Sequence, residues 1–288
     1  MTTINYSFII PHKNCPDLLK RCVDSIPVRD DVQIIVVDDN SDEGKKPSLP
    51  ERKGLEIVLL NASQSKGAGR ARNVGLTKAE GKWLLFPDSD DYYKEGFLGV
   101  LEKYLNSDFE VIYFNCEYRD GVTRTLLSPI YFIKDFEEYN GSLVSIDRIK
   151  FHHNAPWTKF IKRDYLLSHD IRFEEVPNGN DLMFTMAVGS FTNKIEVIKT
   201  PLYIYMRNEN GLTRKKQTEE EAFCVLLHTI QLNRFFNRIG HPEWRLPLFK
   251  KSLYYLKVSG LSFWKLFLKR TVTIKKHRND ILKMINLV

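Results

Sequence analysis

Three near-continuous apolar runs, each emptying into polar or acidic residues, limit what this chain can fold into. Tyr6–Ile10 ends at Pro11-His12-Lys13-Asn14, Val32–Val37 carries five aliphatic residues in six and ends at Asp38-Asp39-Asn40-Ser41, and Lys82-Trp83-Leu84-Leu85-Phe86 runs into Pro87-Asp88-Ser89-Asp90-Asp91. Strands that are apolar without alternation are covered on both faces, as in parallel sheets flanked by helices. Ligands of open α/β sheets bind at the carboxyl ends of the strands. Acids delivered to those ends are therefore placed for chemistry.

Asp88, Asp90 and Asp91 fall within four positions. Crowded carboxylates raise one another's pKa unless a cation sits among them, and hard oxygen ligands select Mg²⁺ or Mn²⁺ over softer metals. An acidic turn capping a helix over Lys94–Leu105 reads the same residues without a metal. The second strand ending in acids, Val32–Asp39, favours the metal.

Further strands are expected at 55–60 and 109–116, with helices at 15–26, 67–80 and 94–106, which makes a βαβ series. Asp42–Lys53 reads as a loop, and 121–141 as an antiparallel excursion. Downstream the pattern predicts a short helix at 164–168, a longer one at 181–189, two short strands at 194–198 and 202–205, and a compositional change near Thr213. From Glu219 to Arg238, Ala222, Val225, Leu226, Ile230, Leu232, Phe235 and Phe236 recur at helical spacing.

With 288 residues, 43% of them hydrophobic, the chain is long enough for one large core and a smaller appendage. Cys15, Cys22, Cys116 and Cys224 form no CxxC pair, which argues against zinc and against a disulfide framework. Cys22 reads as core, and a reducing cytosolic compartment fits best. Met1–Asn5 has no basic leader, so no signal peptide is expected. No stretch reaches the roughly 18 apolar residues of a membrane span.

The net charge of +7 is unevenly spread: Arg245–Val288 holds 11 Lys/Arg against Asp280 alone, while the preceding residues hold 32 basic and 35 acidic. Trp244, Phe249, Tyr254, Tyr255, Phe263, Trp264 and Phe267 interleave with those lysines. Such a segment suits the headgroup level of an anionic membrane. A helical bundle with a solvated basic face is the plainer reading, and a nucleic-acid-binding module is a third. That third reading leaves the strand-end carboxylates repelling phosphates.

Gly67 and Gly69 open a helix beside Lys66, Arg70 and Arg72. The dinucleotide fingerprint is incomplete, because the third strand precedes these glycines and position 72 is Arg. A helix amino terminus with adjacent cations still attracts a diphosphate. Asp181, after Asn178-Gly179-Asn180, falls at a helix start, where an Asp is also a favoured cap.

Taken in order, Ile9-Ile10-Pro11 with Asn14, Val36-Val37-Asp38-Asp39-Asn40-Ser41, Gly67 through Ala71-Arg72-Asn73-Val74-Gly75, Phe86-Pro87-Asp88-Ser89-Asp90-Asp91, Trp157-Thr158-Lys159-Phe160-Ile161 and Asn180-Asp181-Leu182-Met183-Phe184 resemble an inverting glycosyltransferase of family 2 over roughly residues 5–215. The resemblance implies the GT-A nucleotide-diphospho-sugar transferase fold, a Rossmann-like, mostly parallel sheet flanked by helices. It also implies a catalytic domain over 1–215, with a nucleotide-binding half at 1–116 and an acceptor-binding half at 117–215, followed by a basic, aromatic-rich helical region at 216–288.

By the same resemblance, Asp39 meets the nucleotide base with Pro11 and His12 lining its pocket, Arg72 lies near the nucleotide, and Asp88 faces the ribose, while Lys66 is placed at the nucleotide by the charge of the helix end. Asp90 holds Mn²⁺ or Mg²⁺ on the diphosphate, and Asp181 is the catalytic base. The donor is expected to be UDP-linked, and the acceptor a glycan or lipid-linked saccharide of a surface polysaccharide. The enzyme is expected in the cytoplasm, peripheral to the inner face of the membrane and without nucleic acid. A catalytically idle sugar-nucleotide-binding protein is the alternative. Two positions depart from the pattern: Asn180 stands where the family has Glu, and Gly211 where Ser is commoner before Thr213.

Overall fold

The computed structural model describes residues 3–208 and 217–259. Gly211, Thr213 and the tail beyond 259, with Phe263, Trp264 and Phe267, lie outside the described residues.

The expected apolar runs are strands β1 (Tyr6–His12), β2 (Val32–Asp38), β3 (Leu55–Leu59) and β4 (Trp83–Leu85). β1 lies between β2 and β4 and is parallel to both, with His12 opposite Asp38 at its carboxyl end. Tyr6, Phe8 and Ile10 project into one core and Ile9 into the other, while Ile34 and Val36 part from Ile35 and Val37 in the same way. Both cores are closed off because a helix covers each face. From α1 (Pro16–Asp24), Leu19, Cys22 and Val23 fill the first core; from α2 (Ala68–Lys78), Ala71 and Leu76 fill the second. Pro16 starts α1 where its missing N–H costs nothing. On α2, Gly75 lets the helix approach β1, since a Cβ there would lie 2.4 Å from Ile9 Cγ2.

The remaining strands are β5 (Tyr92–Tyr93), β6 (Val111–Asp120), β7 (Lys159–Lys162) and β8 (Ile195–Arg207), and the sheet order is β3-β2-β1-β4-β7-β6-β8-β5. β7 is antiparallel to both β4 and β6, and β8 is parallel to β6. The result is a mixed α/β sheet flanked by helices. The expected pair of strands at 194–198 and 202–205 is one strand, irregular where its pairing with β6 shifts register and Asn115 faces Pro201. Proline has no N–H to give to a ladder, so it belongs at such an irregularity.

The helix expected over 94–106 is shorter. Gly96, at φ 75°, precedes α3 (Phe97–Leu101), which continues as a 3₁₀ turn to Tyr104. The 121–141 segment makes a single bridge, Arg119 to Leu126, and then enters α4 (Tyr131–Glu138), followed by α5 (Leu143–Phe151). α6 (Arg163–Ser168) and α7 (Leu182–Ser190) lie within a residue of expectation. α8 (Glu219–Arg238) begins at a capping box between Thr218 and Glu221, and α9 (Leu248–Ser259) follows it. Leu232, Phe235 and Phe236 of α8 pack on Met183 and Met186 of α7. Among the described residues no helix is long and apolar enough to cross a membrane.

Candidate active site

The parallel registry of β1 and β2 sets His12 beside Asp38, and the loop after β2 turns back over them. His12 Nδ1 donates to Asp38 Oδ1 at 2.7 Å, and His12 Nε2 accepts from the Cys15 N–H at 3.2 Å. Both ring nitrogens are thus engaged within the protein, and His12 is 1% exposed. Asp38 also accepts from the Ser41 N–H at 3.0 Å and from the Ser41 hydroxyl. Asp39, also buried, accepts from the Lys66 and Gly67 N–H groups at 3.1 and 3.0 Å and from Lys13 Nζ at 3.4 Å. The second acid of β2 therefore holds the amino end of α2 against the strand end where Pro11 and His12 lie.

The cations of that helix end reach a loop more than a hundred residues away. Lys66 Nζ and Arg70 Nη1 each lie 3.2 Å from the Glu175 carboxylate. Arg72 is buried, donates to Asp88 from Nη2 and to Asn180 Oδ1 from Nη1 at 2.8 Å, and stacks its guanidinium over Phe173. One guanidinium thus joins the end of β4 to the residue before Asp181.

Oxygen atoms of Asp88, Asp90 and Asp91 lie within 4.8 Å of one another. Their circumstances differ. Asp91 is fully engaged by the protein: Oδ1 accepts from the Met206 N–H at 2.8 Å and Oδ2 from the Tyr203 hydroxyl at 3.1 Å. That hydroxyl in turn accepts the Asp88 N–H at 3.0 Å. Among the described residues, Asp90 has Asn208 Nδ2, at 3.4 Å, on its carboxylate, while Arg21 binds its backbone carbonyl. Burial and then the charge of Asp88 raise its pKa. Asp88 and Asp90 fit a hard divalent cation, because the donors are oxygen and their crowding is what such an ion relieves.

Asp181 caps α7. Its backbone carbonyl accepts the Thr185 N–H at 2.9 Å, and its carboxylate makes no capping bond. Burial raises its pKa, Arg72 opposes that, Asp88 adds to it and Lys159 opposes it. Lys159 is fully buried at the start of β7. Its ammonium donates to the carbonyls of His153 at 3.2 Å and Ala155 at 2.5 Å, and burial pushes its pKa down to about 7 against the attraction of Asp181.

The structure gathers Asp88, Asp90, Arg72 and Asp181 around one another, with Asp39 and Lys66 at the adjoining end of α2. Sequence reasoning missed Tyr203 and Lys159 as parts of this assembly. Lys159 lay in a segment already quoted for the resemblance, but Tyr203 carried no local signal. A groove of about 580 Å³ leads from Asn178 between α8 and α9, past Gln217 and Val225 to Lys250, Lys251 and Tyr254.

A mixed sheet with carboxylates at successive strand ends and a capping aspartate across from them is the GT-A arrangement of nucleotide-diphospho-sugar transferases. The chain belongs to glycosyl transferase family 2, whose sequence profile matches residues 7–168. It is 26% identical over 219 residues to the poly(ribitol-phosphate) beta-N-acetylglucosaminyltransferase TarS of Staphylococcus aureus (strain MW2), covering 72% of this chain and 36% of that protein. It is 27% identical over 306 residues to the minor teichoic acid biosynthesis protein GgaB of Bacillus subtilis (strain 168), covering 99% of this chain and 32% of that one. The chain thus spans about a third of the length of these relatives. The crystal structure of S. aureus TarS residues 1–349 with UDP-GlcNAc has the same fold, with a TM-score of 0.61 at 21% identity over 90% of this chain and 73% of that one.

Proposed function

We propose that this chain transfers a hexosyl or N-acetylhexosaminyl group, with inversion, from a UDP-linked donor to a hydroxyl of a glycan or lipid-linked acceptor in surface-polysaccharide synthesis. The observation that carries this reading is the Arg72 bridge, which ties the Asp88 strand end to Asn180 and sets a cation beside an Asp181 carboxylate free of capping duty. The relatives' names support the class of acceptor, and the UDP-GlcNAc bound to TarS supports the donor.

In this reading Asp181 takes the proton of the acceptor hydroxyl as it attacks the anomeric carbon. Its raised pKa makes it a stronger base than an ordinary carboxylate, and Arg72 opposes the rise that burial causes. Asn180 offers Arg72 a neutral oxygen where a Glu would take up its charge, so more of that charge acts on Asp88 and Asp181. Asp39 receives the nucleotide base beside Pro11 and His12, with His12 acting through Asp38 because its ring nitrogens are engaged. Lys66 and Arg70 exchange Glu175 for the diphosphate. Asp88 and Asp90 would hold Mn²⁺ or Mg²⁺, which when bound neutralises charge on the leaving diphosphate.

Peripheral binding to an anionic membrane at the cytoplasmic face is part of the same proposal. Phe249, Leu253 and Leu256 form an exposed stripe on α9 at i, i+4, i+7, beside Lys250 and Lys257. Charge reversal of Lys250, Lys251 and Lys257 to Glu should abolish flotation with anionic liposomes, and equal flotation would remove the membrane from the proposal.

Two measurements test the chemistry. A thermal-shift screen of UDP, GDP, CDP and their sugar conjugates should show a Mn²⁺-dependent rise with UDP ligands that Asp90→Ala removes. Asp181→Asn should keep that rise while losing turnover by a factor on the order of 10²–10⁴. Wild-type turnover in Asp181→Asn would end the assignment, and binding without any release of UDP would favour the idle sugar-nucleotide-binding protein.

A further inference from the structure

The loop from Phe173 to Asp181 is held from two sides. On the α2 side, Asn73 exchanges hydrogen bonds with the Phe173 carbonyl and N–H at 2.9 and 3.0 Å, Lys66 and Arg70 hold Glu175, and Arg72 holds Asn180. Contact is close enough that a Cβ at Gly69 would lie 2.0 Å from the Glu174 carbonyl and 2.9 Å from Asn180 Cβ. Within the loop the Glu174 N–H donates to the Asn180 carbonyl at 3.1 Å, which closes it on itself.

The other side is α8. His228 is 5% exposed, and its Nε2 lies 3.0 Å from Glu174 Oε2. A carboxylate only accepts, so Nε2 carries the proton and donates. The ring's other edge presses on Gly179, two residues before Asp181, where a Cβ would meet His228 Nδ1 at 2.6 Å and Cε1 at 2.9 Å. Gly179 also has φ +73°, so both its conformation and its clearance require glycine. The apolar packing of α8 on Met183 and Met186 then fixes the helix that Asp181 caps.

We propose that His228 is a positioning residue for Asp181: by gripping Glu174 and Gly179 it fixes the 174–181 loop, and α8 is thereby part of the catalytic machinery rather than an appendage to it. The proposal rests on the assignment of Asp181 as the base. A Gln at 228 can present an amide N–H to Glu174 in place of Nε2, whereas Ala can neither donate nor fill the space beside Gly179.

The test uses the full chain with Mn²⁺ and UDP. In His228→Ala, amide hydrogen exchange across residues 174–181 should accelerate while residues 32–41 stay as protected as in the wild type, and His228→Gln should restore protection. With UDP-N-acetylglucosamine as donor, turnover in His228→Ala should fall roughly 10- to 100-fold, the scale of a small misplacement of a reacting group. The affinity for UDP should stay within about twofold, and His228→Gln should recover most of the turnover.

Unchanged exchange at 174–181 in His228→Ala would overturn the proposal. So would an equal loss of UDP affinity and turnover, or failure of the Gln variant to restore a loop that its unfolding curve shows to be folded. The base assignment fails separately, through full turnover in Asp181→Asn, and the exchange data on 174–181 stand apart from that result.

Discussion

At the end of β2, Asp38 and Asp39 together accept from the His12 ring, the Ser41 N–H and hydroxyl, the Lys66 and Gly67 N–H groups and Lys13. At the end of β4, Asp88 and Asp90 have Arg72 and Asn208 on their carboxylates and otherwise face each other. In sequence the two regions look alike, an apolar strand and then acids. In the folded chain one cluster is satisfied by donors of the protein, and the other is left with a deficit of positive charge. Asp38, with the His12 ring and Ser41 on it, organises backbone, whereas the crowded Asp88 and Asp90 are ready for a cation. The same residue type thus serves scaffold and chemistry according to how many N–H groups the fold brings to it.

Three changes should break or sharpen that contrast. Asp38→Ala strips partners from the buried His12 N–H and the Ser41 hydroxyl, and should cost on the order of 3 kcal/mol in urea unfolding. A loss below about 0.5 kcal/mol would mean that the β2 cluster is not the scaffold described here. Asp90→Asn should do the reverse without metal, raising the melting temperature by roughly 2 °C as like charges are relieved, and should no longer respond to Mn²⁺ with UDP. Destabilisation comparable to Asp38→Ala would place Asp90 with the scaffold. Arg72→Met is read in the pH profile. Burial raises the pKa of Asp181 and Arg72 restrains it, so without Arg72 its carboxylate protonates at a higher pH. The acid limb of the turnover–pH profile should move up in pH, and an unmoved limb would separate Arg72 from Asp181.

β1, β2 and β4 were legible because burial on both faces leaves a near-unbroken apolar run. β7 was not, because Lys159-Phe160-Ile161-Lys162 is four residues long with charge at each end, and only its place between β4 and β6 makes it a strand. β5 is two residues long. Pro201 made β8 look like two strands, since a proline that would break a flat ladder is accommodated where the register shifts. Asp88, Asp90 and Asp181 could be singled out because local spacing and a resemblance both pointed to them. Tyr203 and His228 could not, because Tyr203 meets Asp91 across 112 positions and His228 meets Glu174 across 54, and local periodicity says nothing about either encounter.

The Tyr203 hydroxyl fixes one more property of the molecule. Because it accepts from the Asp88 N–H, its own proton must point to Asp91, whose other oxygen takes the Met206 N–H. Both Asp91 oxygens thus carry a donor of the protein, which leaves Asp88 and Asp90 the freer carboxylates of the cluster where an ion of the Mg²⁺ type prefers about six oxygens. The protein alone should then hold such an ion weakly, with the rest of the shell left to water and to the oxygens of a bound diphosphate. In the proposed reading, ion and nucleotide are then linked equilibria, each raising the affinity of the other by the same factor.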